Sequence, residues 1–102
     1  MPIRFVQQPP VEEAVVSVQR ALAPDVVRIR YSFDDDWTGE PSIFFRILLS
    51  DAATRPGKRW EVAQRVTERL RDEVRSDEYG LHDYFNFRSE SEQAELKDPA
   101  WA

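Results

Sequence analysis

Three stretches of this chain alternate with a period of two, and the two faces they define differ chemically. One face collects Val27, Ile29, Tyr31 and Phe33, then Ile43, Phe45, Ile47 and Leu49, then Leu81, Phe85 and Phe87. The other collects Arg28 and Arg30, then Phe44, Arg46 and Leu48, then His82, Tyr84, Asn86 and Arg88. Successive side chains on a strand point to opposite sides, so the pattern predicts strands over 26–33, 43–49 and 81–88. The run from Ile43 to Leu49 is nearly all apolar, which predicts a central strand partly covered on both faces.

The intervening segments change period. Val11, Ala14, Val15, Val18, Ala21 and Leu22 recur at helical spacing, with Glu12 and Glu13 placed to complement the helix dipole. Pro9-Pro10 suits a helix start, because proline is tolerated in a first turn, and Pro24 predicts an end at Ala23. A second helix is expected from Lys58 to Arg75, with Trp60, Ala63, Val66, Leu70 and Val74 on one stripe. Ser89 and Glu92 have capping-box spacing and predict a short third helix through Leu96. Asp34 to Pro41 is rich in turn-forming residues. The order helix, strand, strand, helix, strand predicts an α+β two-layer sandwich, a three-stranded sheet with both helices on one face. Residues 1–10 are then an N-terminal arm, 11–88 a single domain, and 89–102 a short helix and tail.

Composition bounds the function. The chain has 102 residues, enough for one core. It contains no cysteine, which excludes disulfides and thiolate metal sites and fits a cytoplasmic location. No run is long and apolar enough to span a bilayer, and the start lacks the build of a signal peptide. A net charge of −5 disfavours nonspecific nucleic-acid binding. Against that acidic background, Arg28, Arg30, Arg46, Arg88 and His82 gather on one side of the sheet.

That polarised face is the candidate site: Arg28, Arg30, Phe44, Arg46, His82, Tyr84 and Arg88, with Trp37 from the neighbouring loop. Its arginines could simply pair with nearby side chains, including Asp34 to Asp36 and Glu40. They could also bind a protein partner, or a second copy as a homodimer, since arginine and aromatic residues concentrate at hot spots. Single-stranded RNA is the alternative ligand, with bases stacked on the aromatics. Asp34, Asp36 and Glu40 supply carboxylates that a divalent-metal enzyme could use, but their spacing matches no calcium loop and an exposed turn is expected. Trp37 either folds back onto the core, the favoured outcome, or waits for a partner. His82 is the sole histidine and lacks a catalytic companion. Asp83, on the apolar side, suggests an edge strand blunted by an inward charge. Ile3, Phe5, Val6 and Trp101 near the chain ends could cap the core or exchange onto another copy. These residues imply no catalytic group, no metal and no cofactor, and the leading expectation is a non-catalytic binding protein.

The element order, the Gly39-Glu40-Pro41 loop and the strand Ser42-Ile43-Phe44-Phe45-Arg46-Ile47-Leu48-Leu49-Ser50-Asp51 resemble the minimal nucleotidyltransferases. These are small proteins commonly found as antitoxins encoded beside HEPN-domain toxins. That family carries a Gly-Ser motif after its first strand and Ser-Asp-x-Asp in its second, whose aspartates hold Mg²⁺. Here Asp34 to Asp36 stand at the first motif. Ser42 matches the second, with Ile43 and Phe45 at the aspartate positions. The resemblance implies a catalytically inactive copy that keeps partner binding. The two-helix, three-strand composition is also similar to KH-like RNA-binding folds, without their Gly-x-x-Gly loop.

Overall fold

The computed structural model describes the backbone of residues 4–102 and the side chains of residues 11–102. Its elements run α1 (Arg4–Ala21), β1 (Val26–Asp35), β2 (Pro41–Leu49), α2 (Arg59–Val74), β3 (His82–Ser89) and α3 (Glu90–Leu96). Short 3-10 turns cover Ala52–Thr54, Ser76–Tyr79 and Pro99–Trp101. The α+β class and the element order match the sequence expectation.

Both ends of α1 differ from that expectation, whereas α2 is shorter than expected by one residue at each end. α1 begins at Arg4 and runs through Pro9-Pro10 instead of starting after them. Proline's fixed φ is itself helical, so the chain can continue, although two backbone N–H groups are lost. At the other end the helix stops at Ala21, and a turn over 22–25 leads into β1. The placement of Ile3 and of the Phe5 and Val6 side chains lies outside the described residues.

β2 is the central strand, antiparallel to β1 and parallel to β3. The hairpin between β1 and β2 turns over Trp37-Thr38-Gly39. Gly39 N donates to the Asp36 carbonyl at 2.9 Å, and Gly39 takes a φ of +87°. A left-handed residue closing a three-residue hairpin loop is the position that glycine fills without a steric penalty. The parallel connection from β2 to β3 needs a crossover, which α2 supplies.

One hydrophobic cluster holds these elements together. Val11, Val15 and Val18 of α1 and Val62, Val66, Leu70 and Val74 of α2 join Ile29, Ile43, Phe45, Ile47 and Leu49 of the sheet's odd-numbered face. Ile43, Ile47, Leu49 and Leu70 are fully buried. Each such side chain contributes about 1.5–3 kcal/mol on leaving water. Trp60 departs from its expected place in this core, being 75% exposed. It precedes Val62 by two residues, about 200° around the helix, so the Val62-Val66-Leu70-Val74 stripe turns it outward.

Asp83 does face the helix side, where its carboxylate accepts two bonds from Arg71, both at 3.2 Å. The Arg71 guanidinium also lies 5.2 Å from the Phe85 ring centroid. An inward charge at the sheet edge is therefore paired by the helix above it.

Candidate binding face on the open side of the sheet

The even-numbered residues form four rows across the strands: Asp34, Ser42, His82; Ser32, Phe44, Tyr84; Arg30, Arg46, Asn86; and Arg28, Leu48, Arg88. The last of these rows is roofed by the end of the chain. Arg28 donates from Nε and Nη2 to the Trp101 carbonyl at 3.2 and 3.0 Å. Arg46 Nε reaches the Ala100 carbonyl at 2.9 Å, and its Nη1 donates to Ser32 Oγ at 3.1 Å. The Arg88 guanidinium stands 4.5 Å from the Trp101 ring centroid and bonds Gln93 Oε1 at 3.0 Å. Trp101 and Leu48 are buried as a result.

This roof is built by local rules at the C-terminus. Ser89 caps α3, accepting from Glu92 N at 3.1 Å, while Glu92 Oε1 accepts from Ser89 N at 2.9 Å, the expected capping box. Asp51, just after β2, anchors the same helix by accepting from Ser91 N and Oγ at 3.0 and 2.7 Å. Those bonds hold its carboxyl below the usual carboxylate range, the Ser91 hydroxyl contributing most. Asp98 then caps the final turn by accepting from Ala100 N at 3.0 Å. Three of the four predicted arginines are thereby engaged within the chain, mostly on carbonyls of the tail and not on the acidic loop.

The uncovered half of the face is aromatic. Phe44 and Tyr84 stack with ring centroids 5.2 Å apart and an interplanar angle of 19°. Trp37 leans on Tyr84 at 5.3 Å and 53°. Tyr84 is thus the middle ring of three. Its hydroxyl donates to Asp36 Oδ2 at 2.8 Å, which fixes the ring and holds the phenol pKa above its ordinary value.

Asp36 organises this corner. Its Oδ1 accepts from the Thr38 hydroxyl at 2.6 Å and from the backbone N–H groups of Thr38 and Glu40 at 2.9 and 3.0 Å. The bond from Thr38 does most to push the Asp36 carboxyl far below the usual range, with Tyr84 and the Glu40 amide adding to it. The acidic loop is accordingly a hydrogen-bonded turn. Among the described residues no group of three or more His, Asp or Glu side chains is arranged to hold a metal ion.

Trp37 does not fold back onto the core, correcting the favoured expectation: it is 80% exposed. It rests instead against the Tyr84 ring, which the bond to Asp36 holds in place. Arg30 and His82 are exposed at the margins of the aromatic patch. Among the described residues the Arg30 side chain makes no hydrogen bond or ion pair. The predicted site therefore divides into Arg28, Arg46 and Arg88 under the tail, and Arg30, Trp37, Phe44, His82 and Tyr84 in the open.

Sequence reasoning did not foresee that Pro99–Trp101 would cover one end of the face. Asp98-Pro99 before Trp101 is the available signal, an N-capped turn carrying a large apolar group. Comparison with protein-family models and with curated proteins finds no match. Among the described residues no helix is long and apolar enough to cross a membrane.

Proposed function

We propose that this chain is a non-catalytic binding protein that engages another protein through Trp37, Tyr84 and Phe44, with Arg30 and His82 at the rim. The single observation that carries this is Trp37, left 80% exposed yet braced on a tyrosine that is itself hydrogen-bonded in place. An aromatic side chain held before binding loses little conformational freedom on association, and tryptophan and arginine are enriched among hot-spot residues.

The resemblance to minimal nucleotidyltransferases would make the partner a toxin-like protein and this chain its antitoxin-like subunit. Ile43 and Phe45, at the aspartate positions of that family, are core residues, which favours binding over catalysis. A second ligand, single-stranded RNA, is favoured by the stacked rings, which could extend onto a base. The acidic hairpin that carries Trp37 weighs against a phosphate chain there.

The test is affinity capture from the native host with wild-type bait and with a Trp37→Ala/Arg30→Glu bait, both checked for folding. A stoichiometric protein held by the first and lost by the second is expected. A partner that both baits retain equally would sink the proposal. RNA in the eluate that disappears steeply with salt would move the assignment to nucleic acid.

A further inference from the structure

Among the described residues no strand pairs with the outer edge of β3, and we propose that a second copy of this chain fills it, pairing β3 with β3 in antiparallel register about Phe85. The direction of the backbone groups follows from the sheet. Asp36 N donates to the Glu40 carbonyl at 2.9 Å, so even-numbered residues exchange bonds across the hairpin and odd residues of β2 turn toward β3. In a parallel ladder, Ile43, opposite Asp83, bonds the residues flanking it, His82 and Tyr84. The N–H and C=O groups of Asp83, Phe85 and Phe87 must then point away from the sheet. The Phe87 carbonyl does so, since it accepts from Arg59 Nη2 of α2 at 3.3 Å.

Along this edge the described chain places only side chains of α2, Arg59 on the Phe87 carbonyl and Arg71 on Asp83 and over Phe85, and no strand. A groove of about 910 Å³ runs between α2 and β3, bordered by Trp60, Thr67, Arg71, Phe85 and Phe87. A second, of about 610 Å³, continues past Asp83 and His82 to Ser76. On the opposite edge of the sheet an outward group is met from within the chain: the Ile29 N–H on β1 donates to Gln19 Oε1 of α1 at 3.0 Å. An open strand edge beside apolar side chains is a template for another strand.

The edge is complementary to itself. Trp60 borders the groove at the N-terminal end of α2, near Phe87, and Arg71 borders it at the other end, bonded to Asp83. A two-fold axis at Phe85 sets Phe85 against its own copy and Phe87 against Asp83 of the second copy. Each such pair exchanges two backbone bonds. The same operation brings the exposed Trp60 of one copy to the Arg71 end of the other, twice over, as an isologous interface requires. A guanidinium over an indole is attractive, and Arg71 already carries its own counterion in Asp83, so no uncompensated like charges meet. The Phe87 carbonyl has a second lone pair, so Arg59 need not leave it.

Sedimentation equilibrium on the full chain from micromolar to millimolar concentration should show a monomer passing to a dimer. Residue-resolved amide exchange should show the N–H groups of Asp83, Phe85 and Phe87 slowing as the dimer fills. Trp60→Glu changes an exposed residue outside the core and should weaken the dimer by about tenfold or more while the fold persists. A single-chain mass throughout overturns the proposal, leaving the edge to a foreign strand. A dimer in which those amides stay fast, or one indifferent to Trp60→Glu, overturns it as well.

Discussion

Arg28 on the first strand donates two hydrogen bonds to the carbonyl of Trp101, 73 positions away, and so ties the beginning of the sheet to the end of the chain. The Trp101 ring is 6% exposed beneath Arg88. Trp101→Ala should therefore cost about 3 kcal/mol, the size expected for emptying a well-packed aromatic site. Urea denaturation monitored by circular dichroism measures it. A loss below about 1 kcal/mol would mean that the tail does not hold the face.

Trp37→Ala should separate stability from binding. The ring touches Tyr84 but is otherwise in solvent, so its removal should destabilise by about 1 kcal/mol or less. Affinity for the partner identified by capture should fall by about thirtyfold, the lower bound for a hot-spot residue. Paired denaturation and calorimetric titration would reveal a different outcome, a destabilised protein with undiminished affinity.

Asp36 should produce an acid-sensitive hairpin. Its folded carboxyl is depressed below the ordinary 3.8, chiefly by the Thr38 hydroxyl, so its contribution is present above that value and is lost as pH falls below about 4. Urea midpoints measured down the acid range should drop more steeply for the wild type than for Asp36→Asn. In the same variant the Tyr84 phenol, raised first of all by its bond to Asp36, should titrate closer to its ordinary pKa by ultraviolet absorbance.

Tyr31 should act at the alkaline end. Its hydroxyl donates to Glu12 Oε1 at 2.7 Å, and burial, followed by that bond and the Glu12 charge, pushes the phenol from 10.0 up to about 12. A raised folded pKa means that the proton is held more tightly in the native state. The stabilisation is complete below pH about 10 and is lost as pH rises through about 12. The difference in urea midpoint between wild type and Tyr31→Phe should shrink over that window. A difference that stays constant would exclude Tyr31 as the titrating group.

The elements that could be read from sequence are those whose causes are local. The Ser89 and Glu92 capping box needs only two side chains three positions apart, and both of its bonds form. The run from Ile43 to Leu49 announces a central strand partly covered on both faces, and β2 is central, with Ile43 and Ile47 buried on one face and Leu48 on the other. Trp60 was misplaced because hydrophobicity assigned it to a stripe whose phase is set by Val62, Val66, Leu70 and Val74. Trp37 was misplaced because its resting place depends on Tyr84, on a strand that begins far down the chain. Asp83 could be recognised as anomalous, but its partner Arg71 became visible only once α2 lay over β3.

The sequence by itself determined the alternation of the strands from Ile29 onward, the apolar stripe of α1 and the capping box of α3. These depend on neighbours within a few positions, where backbone geometry leaves few choices. It also determined that four arginines would share one face. A bulge at the start of β1, by contrast, puts Val26 in the core in place of the expected Val27. Only the tertiary structure decided what those arginines do. A guanidinium has donors enough for either a foreign carboxylate or an internal carbonyl, and its choice rests on which acceptor the fold brings within reach. Here the last turn delivers the carbonyls of Ala100 and Trp101 to Arg46 and Arg28, and leaves Arg30 and Trp37 to the solvent.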